Sequence, residues 1–253
     1  MVFSFFLRFH LKILLVIMAF YDLHVHTTLS IGESTPEETI DFATKLGLNG
    51  IGLVRYYDGT RLPKKDLETA DAGMDIVNAV MLKPKNPEEL NILATKVRNS
   101  AEVLMVHGGD YDINRAACEN QLVDILCHPE LGRKDSGLDH ICAKAAAENS
   151  VAIEVNFREV LESYKKQRVH IIAAMKKNVM LCKNYNASVV IASGAVTKWN
   201  MRSPRDMAGL GNILGMDLGK AIDSVSTVPE GIAKQNREKL EGKRWEGVTI
   251  VDE

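Results

Sequence analysis

Two histidines near the amino terminus, His24 and His26, are separated by one residue in the segment Asp-Leu-His-Val-His. On a β-strand this spacing places both imidazoles on the same face, because successive side chains alternate between faces. Other side chains of the same chemistry lie within or at the end of later apolar runs, namely His107, His128 and Glu154. Imidazoles and carboxylates that converge from several strands can hold metal ions that activate water for phosphoester hydrolysis. These five residues are therefore the candidate metal ligands.

The elements that would position these residues alternate between short apolar runs and segments of helical periodicity, which indicates repeated βα units around a parallel sheet. Strands are predicted at residues 20–26, 50–55, 75–82, 102–107, 123–127, 151–156 and 188–192. Helices are predicted at residues 34–46, 86–100, 113–121, 138–148, 159–185, 203–214, 218–225 and 230–240. The predicted fold class is α/β, a TIM-like (β/α) barrel whose final unit is irregular, and a doubly wound open sheet is the alternative.

The first twenty residues are apolar, but Arg8, His10 and Lys12 interrupt them. The remaining run is shorter than the roughly 20 residues that a membrane-spanning helix needs. A signal peptide is another reading, although no small-x-small cleavage site follows. We interpret residues 1–17 as an extension from a misassigned start, outside the fold, and residues 18–253 as one β/α barrel domain with no membrane association.

Composition is that of an ordinary folded protein, with 253 residues of which 46% are hydrophobic and 25% charged. The four cysteines show no C-x-x-C pair and no Cys/His spacing of a zinc site. Reduced, buried thiols and a cytoplasmic location are therefore expected.

Positive charge is concentrated in one part of the chain. Between Arg158 and Arg205 there are ten basic and two acidic side chains, a local balance of +8 in a chain whose net charge is −2. Such asymmetry favours a polyanionic partner, whereas the alternative is the solvated face of a long helix. In Lys198-Trp-Asn-Met-Arg-Ser-Pro-Arg205 an aromatic ring and cations precede a predicted helix start, a combination suited to phosphate and to an unpaired base.

The histidine motifs resemble those of the polymerase-and-histidinol-phosphatase (PHP) superfamily, whose members carry H-x-H, a His-Pro after a middle strand and a late Asp-x-His. This chain departs from that pattern. It has Ser30-Ile-Gly32 where Ser-Asp-Gly is common, and residues 193–195, Ser-Gly-Ala, where Asp-x-His would follow the seventh strand. These side chains do not replace a carboxylate and an imidazole as ligands. We therefore expect vestigial histidines and no protein-bound metal, and the alternative is a free-standing metal-dependent phosphoesterase.

Three segments are similar to the ribonuclease P protein component 3 family: residues 21–26 (YDLHVH), 153–156 (IEVN) and 201–215 (MRSPRDMAGLGNILG). The resemblance implies a barrel related to the PHP fold that assembles with a catalytic RNA and with other protein subunits, including a smaller protein partner. It further implies removal of the 5′ leader of precursor tRNA by that particle, with Mg²⁺ held largely by the RNA and no catalytic residue in this chain.

Within this interpretation the basic residues contact RNA. Lys198, Arg202 and Arg205 are the core of the predicted contact, with Arg158, Lys165 and Arg168 behind them and with Arg55 and Arg115 as further strand-end or loop arginines. Arg158 could instead pair with Glu162 on its own helix. An apolar patch for the protein partner could include Met207, Leu210, Ile213 and Leu214, for which burial in the barrel core is the alternative.

Overall fold

The structure, a computed structural model, describes residues 18–57, 59–60 and 73–243, so that the predicted extension at residues 1–17 lies outside the described residues. Seven strands lie side by side in chain order, and each neighbouring pair is parallel. They are β1 (Tyr21–Val25), β2 (Gly50–Tyr57), β3 (Asp75–Leu82), β4 (Val103–His107), β5 (Ile125–Cys127), β6 (Ala152–Asn156) and β7 (Val189–Ala192). All seven predicted strands are confirmed.

The first and last strands approach each other and nearly close the sheet. Val25 forms a parallel bridge with Ala195, and the backbone N–H of His26 donates to the Ala195 carbonyl at 2.8 Å. The backbone N–H of Ser193 donates to the Asp22 carboxylate at 3.0 Å. The fold is therefore a TIM-like α/β barrel. The doubly wound alternative is wrong, because in a doubly wound sheet later strands are added on both sides of the first strand, whereas here the strands follow one another in chain order.

Helices follow the strands on the outside of the barrel. They are α1 (Pro36–Lys45), α2 (Pro87–Val97), α3 (Tyr111–Cys118), α4 (His140–Glu148), α5 (Phe157–Glu162), α6 (Lys166–Tyr185), α7 (Pro204–Ile213), α8 (Leu218–Asp223) and α9 (Thr227–Leu240), with 3₁₀ turns at Arg98–Ser100 and Lys198–Asn200. Helix α1 begins after Thr35, which forms a reciprocal capping box with Glu38. No helix among the described residues is long and apolar enough to cross a membrane.

The prediction of one continuous helix over residues 159–185 is wrong, because the chain breaks between α5 and α6. Ser163 is extended, with φ −79° and ψ 153°, and Lys165 adopts φ +48°. The Arg168 side chain donates to the carbonyl of Ser163 at 2.7 Å and to that of Leu161 at 3.4 Å. An arginine of the second helix thus satisfies carbonyls that would otherwise remain unpaired at the end of the first.

Apolar side chains form one core inside the barrel and another between the barrel and its helices. Helix α9 closes the end at which the strands begin, where Ala233 packs into the inner core. The Arg237 guanidinium bridges the Asp75 and Glu102 carboxylates at 2.8 Å and 3.1 Å. All four cysteines are free and buried, as the sequence predicted. The opposite end, at which the strands finish, is called the barrel mouth, and functional residues of such barrels lie at this end.

Candidate nucleic-acid interface at the barrel mouth

The five candidate metal ligands meet at the barrel mouth. His24 and His26 come from the end of β1, His107 ends β4, His128 follows β5 and Glu154 lies on β6. The ring centroids of His107 and His128 are 4.4 Å apart, and those of His24 and His128 are 5.9 Å apart. Four of the five are at most 1% exposed, and His107 is partly exposed. These residues are called the histidine cluster below.

Hydrogen bonds connect the side chains of three members of the histidine cluster, His26, His24 and Glu154, in a chain. The Nε2 atoms of His24 and His26 are 3.0 Å apart, and His24 Nδ1 lies 2.6 Å from Glu154 Oε1. His24 Nδ1 donates to Glu154, and the two Nε2 atoms share one proton in the hydrogen bond between the rings. His26 Nδ1 lies 3.4 Å from Ser30 Oγ. Both nitrogens of each of these two imidazoles are engaged within the protein.

The Glu154 carboxylate is the negative centre of the cluster. Its Oε2 atom accepts from the backbone N–H of His128 at 3.1 Å and from Asn156 Nδ2 at 3.2 Å. Burial alone would raise the pKa of Glu154, but the charge and hydrogen bond of His24 outweigh burial and bring that pKa down to about 2. The carboxylate is therefore ionised at neutral pH, and its charge is balanced inside the barrel.

Burial shifts the pKa of the imidazoles downward, the opposite of its effect on the carboxylate. It lowers the pKa of His26 to about 3, with a further contribution from the charge of His24. It also lowers the pKa of His128 well below its ordinary value and lowers that of His107. These three rings are therefore neutral at pH 7, and His128 Nδ1 is buried with no hydrogen-bond partner in the described part of the chain.

This donor set fits a catalytic metal centre poorly. Ligand atoms of His24, Cys127 and Glu154 lie within 4.8 Å of one another, and in the metal-free chain burial raises the pKa of the Cys127 thiol far above its usual range. A catalytic metal keeps one position open for water, whereas the His24 nitrogens and both Glu154 oxygens are engaged by protein groups. Residues 193–195 after β7 contribute serine, glycine and alanine, which supply neither an imidazole nor a carboxylate.

Sequence reasoning missed three side chains of this site. The Tyr56 ring stacks on His26 with a centroid distance of 5.7 Å and an interplanar angle of 7°. Asn156 lies two residues beyond Glu154 on the same strand face, so strand alternation was a signal that could have revealed it. Tyr56 lies beyond the predicted end of the second strand, and Cys127 was interpreted only as a core thiol.

A second surface of the mouth follows β7 and is called the basic rim below; it consists of Lys198, Trp199, Arg202 and Arg205. The backbone N–H of Lys198 donates to Ser34 Oγ at 2.9 Å, which fastens the rim to the loop before α1. The Lys198 ammonium lies 2.9 Å from a Glu38 oxygen and 5.4 Å from the centre of the Trp199 ring. Part of its charge is therefore balanced within the protein.

The two arginines of the basic rim differ in how firmly they are held. Arg202 Nη1 donates to the carbonyls of Trp199 at 3.0 Å and Met201 at 2.7 Å, and the guanidinium lies 5.5 Å from the Phe157 ring centre. The Arg205 side chain is exposed and makes no hydrogen bond or ion pair with the other described residues. The rim thus presents one oriented and one free guanidinium group.

The amino terminus of α7, where the sequence predicted a phosphate site, already carries an acid. Ser203 Oγ accepts from the backbone N–H of Asp206 at 3.2 Å and lies 2.7 Å from the Asp206 carboxylate. This carboxylate occupies the position that favours an anion at a helix start. The guanidinium groups beside the helix are therefore better placed for phosphate than its first turn.

The three cations predicted behind the core contact have separate environments. Arg158 lies 3.9 Å from both Glu159 and Glu162, so the predicted pairing with Glu162 is present at long distance. Lys165 is exposed in the break between α5 and α6. Arg168 is committed to the backbone carbonyls that end α5. Of these three, Lys165 has the most freely exposed charge.

The two remaining arginines lie away from the basic rim. Arg55 donates to Asn78 Oδ1 at 2.9 Å and faces away from the barrel interior, to which its strand neighbour Tyr56 points. Arg115 lies on the exposed face of α3 and pairs with Glu119 at 2.9 Å. The structure therefore does not bring these two residues together with Arg202.

The four residues of the predicted apolar patch on α7 differ in burial. Met207, Leu210 and Leu214 are buried in the core, as the alternative reading stated, whereas Ile213 is 72% exposed. One side chain of four is thus available to a partner.

A family model described as RNase P subunit p30 matches residues 19–241 of the chain. The chain belongs to this RNase P subunit family. Ribonuclease P protein component 3 of Methanosarcina acetivorans is 40% identical over 219 residues, 86% of this chain and 90% of that protein. The Methanosarcina mazei protein of the same name is 37% identical over 234 residues, 92% of this chain and 96% of that protein. The family resemblance predicted from the sequence is confirmed.

The same family is present among solved structures. A chain in the cryo-EM structure of an archaeal ribonuclease P with mature tRNA superposes with a TM-score of 0.75 at 29% sequence identity. The match covers 91% of this chain and 98% of that chain. The barrel described above is therefore shared with a component of that particle over almost its entire length.

Proposed function

We propose that this chain is an RNA-binding protein subunit of ribonuclease P, the ribonucleoprotein endonuclease that removes the 5′ leader of precursor tRNA. The observation that carries the proposal is the family match over residues 19–241, together with the 29% identical chain of the archaeal particle. The protein supports the folding and activity of a catalytic RNA and does not cleave the substrate itself. Its partners are the ribonuclease P RNA, precursor tRNA through the complex, and other protein subunits, one of them a smaller protein.

The basic rim supplies the physical part of this role. Arg202 and Arg205 offer guanidinium groups at the barrel mouth, and such groups reduce the repulsion between phosphates that a folded RNA brings together. The Mg²⁺ ions of the reaction are held by RNA phosphates in this proposal, and the protein binds no cofactor. The proposed location is the cytoplasm, where precursor tRNA is processed.

A free-standing metal-dependent phosphoesterase is the competing function. It needs ligands with free lone pairs around an ion, whereas His24, His26 and Glu154 bind one another. Elemental analysis of protein purified without added metal separates the two functions. Stoichiometric manganese, iron or zinc with phosphatase activity would favour the enzyme, and substoichiometric metal without activity would favour the subunit.

The decisive experiment compares two double variants of equal charge change. Arg202→Ala with Arg205→Ala removes two cations from the basic rim, and Lys96→Ala with Lys144→Ala removes two exposed cations from α2 and α4. Binding of each protein to ribonuclease P RNA is measured across a series of salt concentrations. For the rim variant we expect weaker binding and a salt slope smaller by about 1–2, since each lost phosphate contact removes roughly 0.7–0.9 from it.

The outer-helix variant serves as the control and should keep the wild-type affinity and salt slope. Equal affinities and equal slopes for the two double variants would contradict a specific RNA contact at the basic rim. Failure of the wild-type chain to bind this RNA, alone or with the other subunits, would contradict the proposed function itself.

A further inference from the structure

The exposed indole of the basic rim is held in a fixed position. Trp199 is 69% exposed although it belongs to a 3₁₀ turn that is fastened on both sides. Thr197 Oγ1 donates to Asn200 Oδ1 at 3.0 Å, and Met201, at the end of the turn, is 2% exposed. Arg202 donates to the Trp199 carbonyl itself. The backbone under the indole is therefore ordered before any partner arrives, which lowers the entropy cost of binding.

The ring itself is also oriented by its neighbours. Phe42 of α1 meets it in a T-shaped arrangement, with centroids 5.4 Å apart and planes 73° apart. This contact leaves most of the indole surface in solvent, as its exposure shows. An aromatic surface that is exposed on an ordered turn can stack on a partner's ring without further ordering of the turn.

Arg202 next to this ring has an unused pair of donors. Its Nη1 atom is satisfied by two carbonyl groups, while Nε and Nη2 make no hydrogen bond with the described residues. The guanidinium carbon lies 5.5 Å from the Phe157 ring centre, within the range of a cation–π contact. A planar guanidinium with two adjacent free donors matches the bidentate geometry of a phosphate group.

We propose that Trp199 is a stacking platform for an unpaired nucleobase of RNA and that Arg202 binds a phosphodiester group of the same strand. This inference rests on the proposed function and specifies which RNA element the basic rim takes. Aromatic rings interleaved with cations are typical of single-stranded RNA contacts, in which bases stack on the ring and the backbone follows the positive charge. An apolar protein surface over the same ring would instead bury the Arg202 guanidinium with two of its donors unsatisfied, and burial of such a group is unfavourable.

The test uses the full chain in a Trp245→Phe background, in which Trp199 is the only tryptophan. The chain is titrated with ribonuclease P RNA while indole fluorescence and binding affinity are measured together. We expect fluorescence quenching on binding, and a loss of affinity of about 5- to 100-fold in Trp199→Ala, as found for removal of one base-stacking ring. Trp199→Leu should lose as much because it keeps apolar surface without an aromatic face, and Trp199→Phe should recover part of the affinity.

Ile92→Ala provides the matched control, since Ile92 is an exposed apolar side chain of α2. It should bind RNA like the wild type, and all variants should unfold at the wild-type temperature. Wild-type affinity in Trp199→Leu without quenching in the parent chain would overturn the stacking proposal while leaving the proposed function intact. Loss of binding to another protein subunit with unchanged RNA affinity would also overturn it, because the ring would then face protein. Absence of RNA binding by the parent chain, alone and together with the other subunits, would overturn both proposals.

Discussion

Replacing His24 with alanine is expected to destabilise the barrel, because its imidazole is the closest partner of the buried Glu154 carboxylate. The pKa of Glu154 is about 2 in the folded chain against an ordinary value of 4.5, a difference that corresponds to roughly 3 kcal/mol at about 1.36 kcal/mol per unit. Buried pairs that lose one partner typically cost a similar amount, about 3–5 kcal/mol. For a chain of this length, the unfolding temperature should fall by about 6–20 °C.

The effect should depend on pH in a defined direction. A carboxyl whose pKa is lower in the folded state stabilises the fold above its unfolded pKa, and that contribution disappears as pH falls from about 4.5 to about 2. The gap in unfolding free energy between the wild type and His24→Ala should therefore be largest near pH 7 and shrink toward pH 3. Denaturant unfolding at both pH values measures it.

Two further variants make this test specific. Adding Glu154→Gln to His24→Ala should recover part of the lost stability, since no charge then remains buried without a partner. His107→Ala should cost less than about 1 kcal/mol, because His107 is partly exposed and the only hydrogen bond of its imidazole among the described residues is to the Gly108 carbonyl. Equal unfolding of wild type and His24→Ala at pH 7 would refute the reasoning. A chelator that lowers the wild-type midpoint to that of His24→Ala would show that the cluster holds a metal.

Four other substitutions probe the rest of the barrel. Burial raises the pKa of Glu130 to about 8, so its ionisation destabilises the fold as pH rises from about 4.5 to 8, and Glu130→Gln should be more stable than wild type at pH 9 but not at pH 4 in denaturant titrations. Arg237→Gln removes the bridge between Asp75 and α9 and should cost about 2 kcal/mol, measured by thermal unfolding. Met207→Ala should cost about 2–5 kcal/mol and Ile213→Ala less than about 0.5, because only the former is buried, and the same unfolding curves compare them.

The barrel could be predicted from the sequence because its strands are buried on both faces and therefore appear as short apolar runs between turn residues. The helix break after Glu162 could not be predicted from the sequence. It depends on the positive φ of Lys165 and on Arg168 donating to carbonyls of the preceding helix. Neither feature changes the hydrophobic periodicity from which a continuous helix was predicted.

The convergence of the histidines was predictable for a similar reason, since the ends of parallel strands meet at one end of a barrel. The hydrogen bonds that join His24 to His26 and to Glu154 were not predictable. The register of β1 shifts between Asp22 and Val25, and this irregularity accompanies the approach of the His24 and His26 rings. The ion pair of Lys198 on the basic rim was not predictable either, because its partner Glu38 is 160 residues away in the chain. A count of charges along the sequence treats that cation as free.

Burial is the reason why we place the proposed RNA contact at the basic rim and not at the histidine cluster. A polyanion can interact only with groups it can reach, and His24 and Glu154 are at most 1% exposed. The cluster also offers phosphate no attraction, since its carboxylate is ionised and three of its imidazoles are neutral at pH 7. Arg202 and Arg205 are cations of the basic rim that a polyanion can reach, and in our proposal a phosphodiester backbone that approaches this end of the barrel binds the segment after β7.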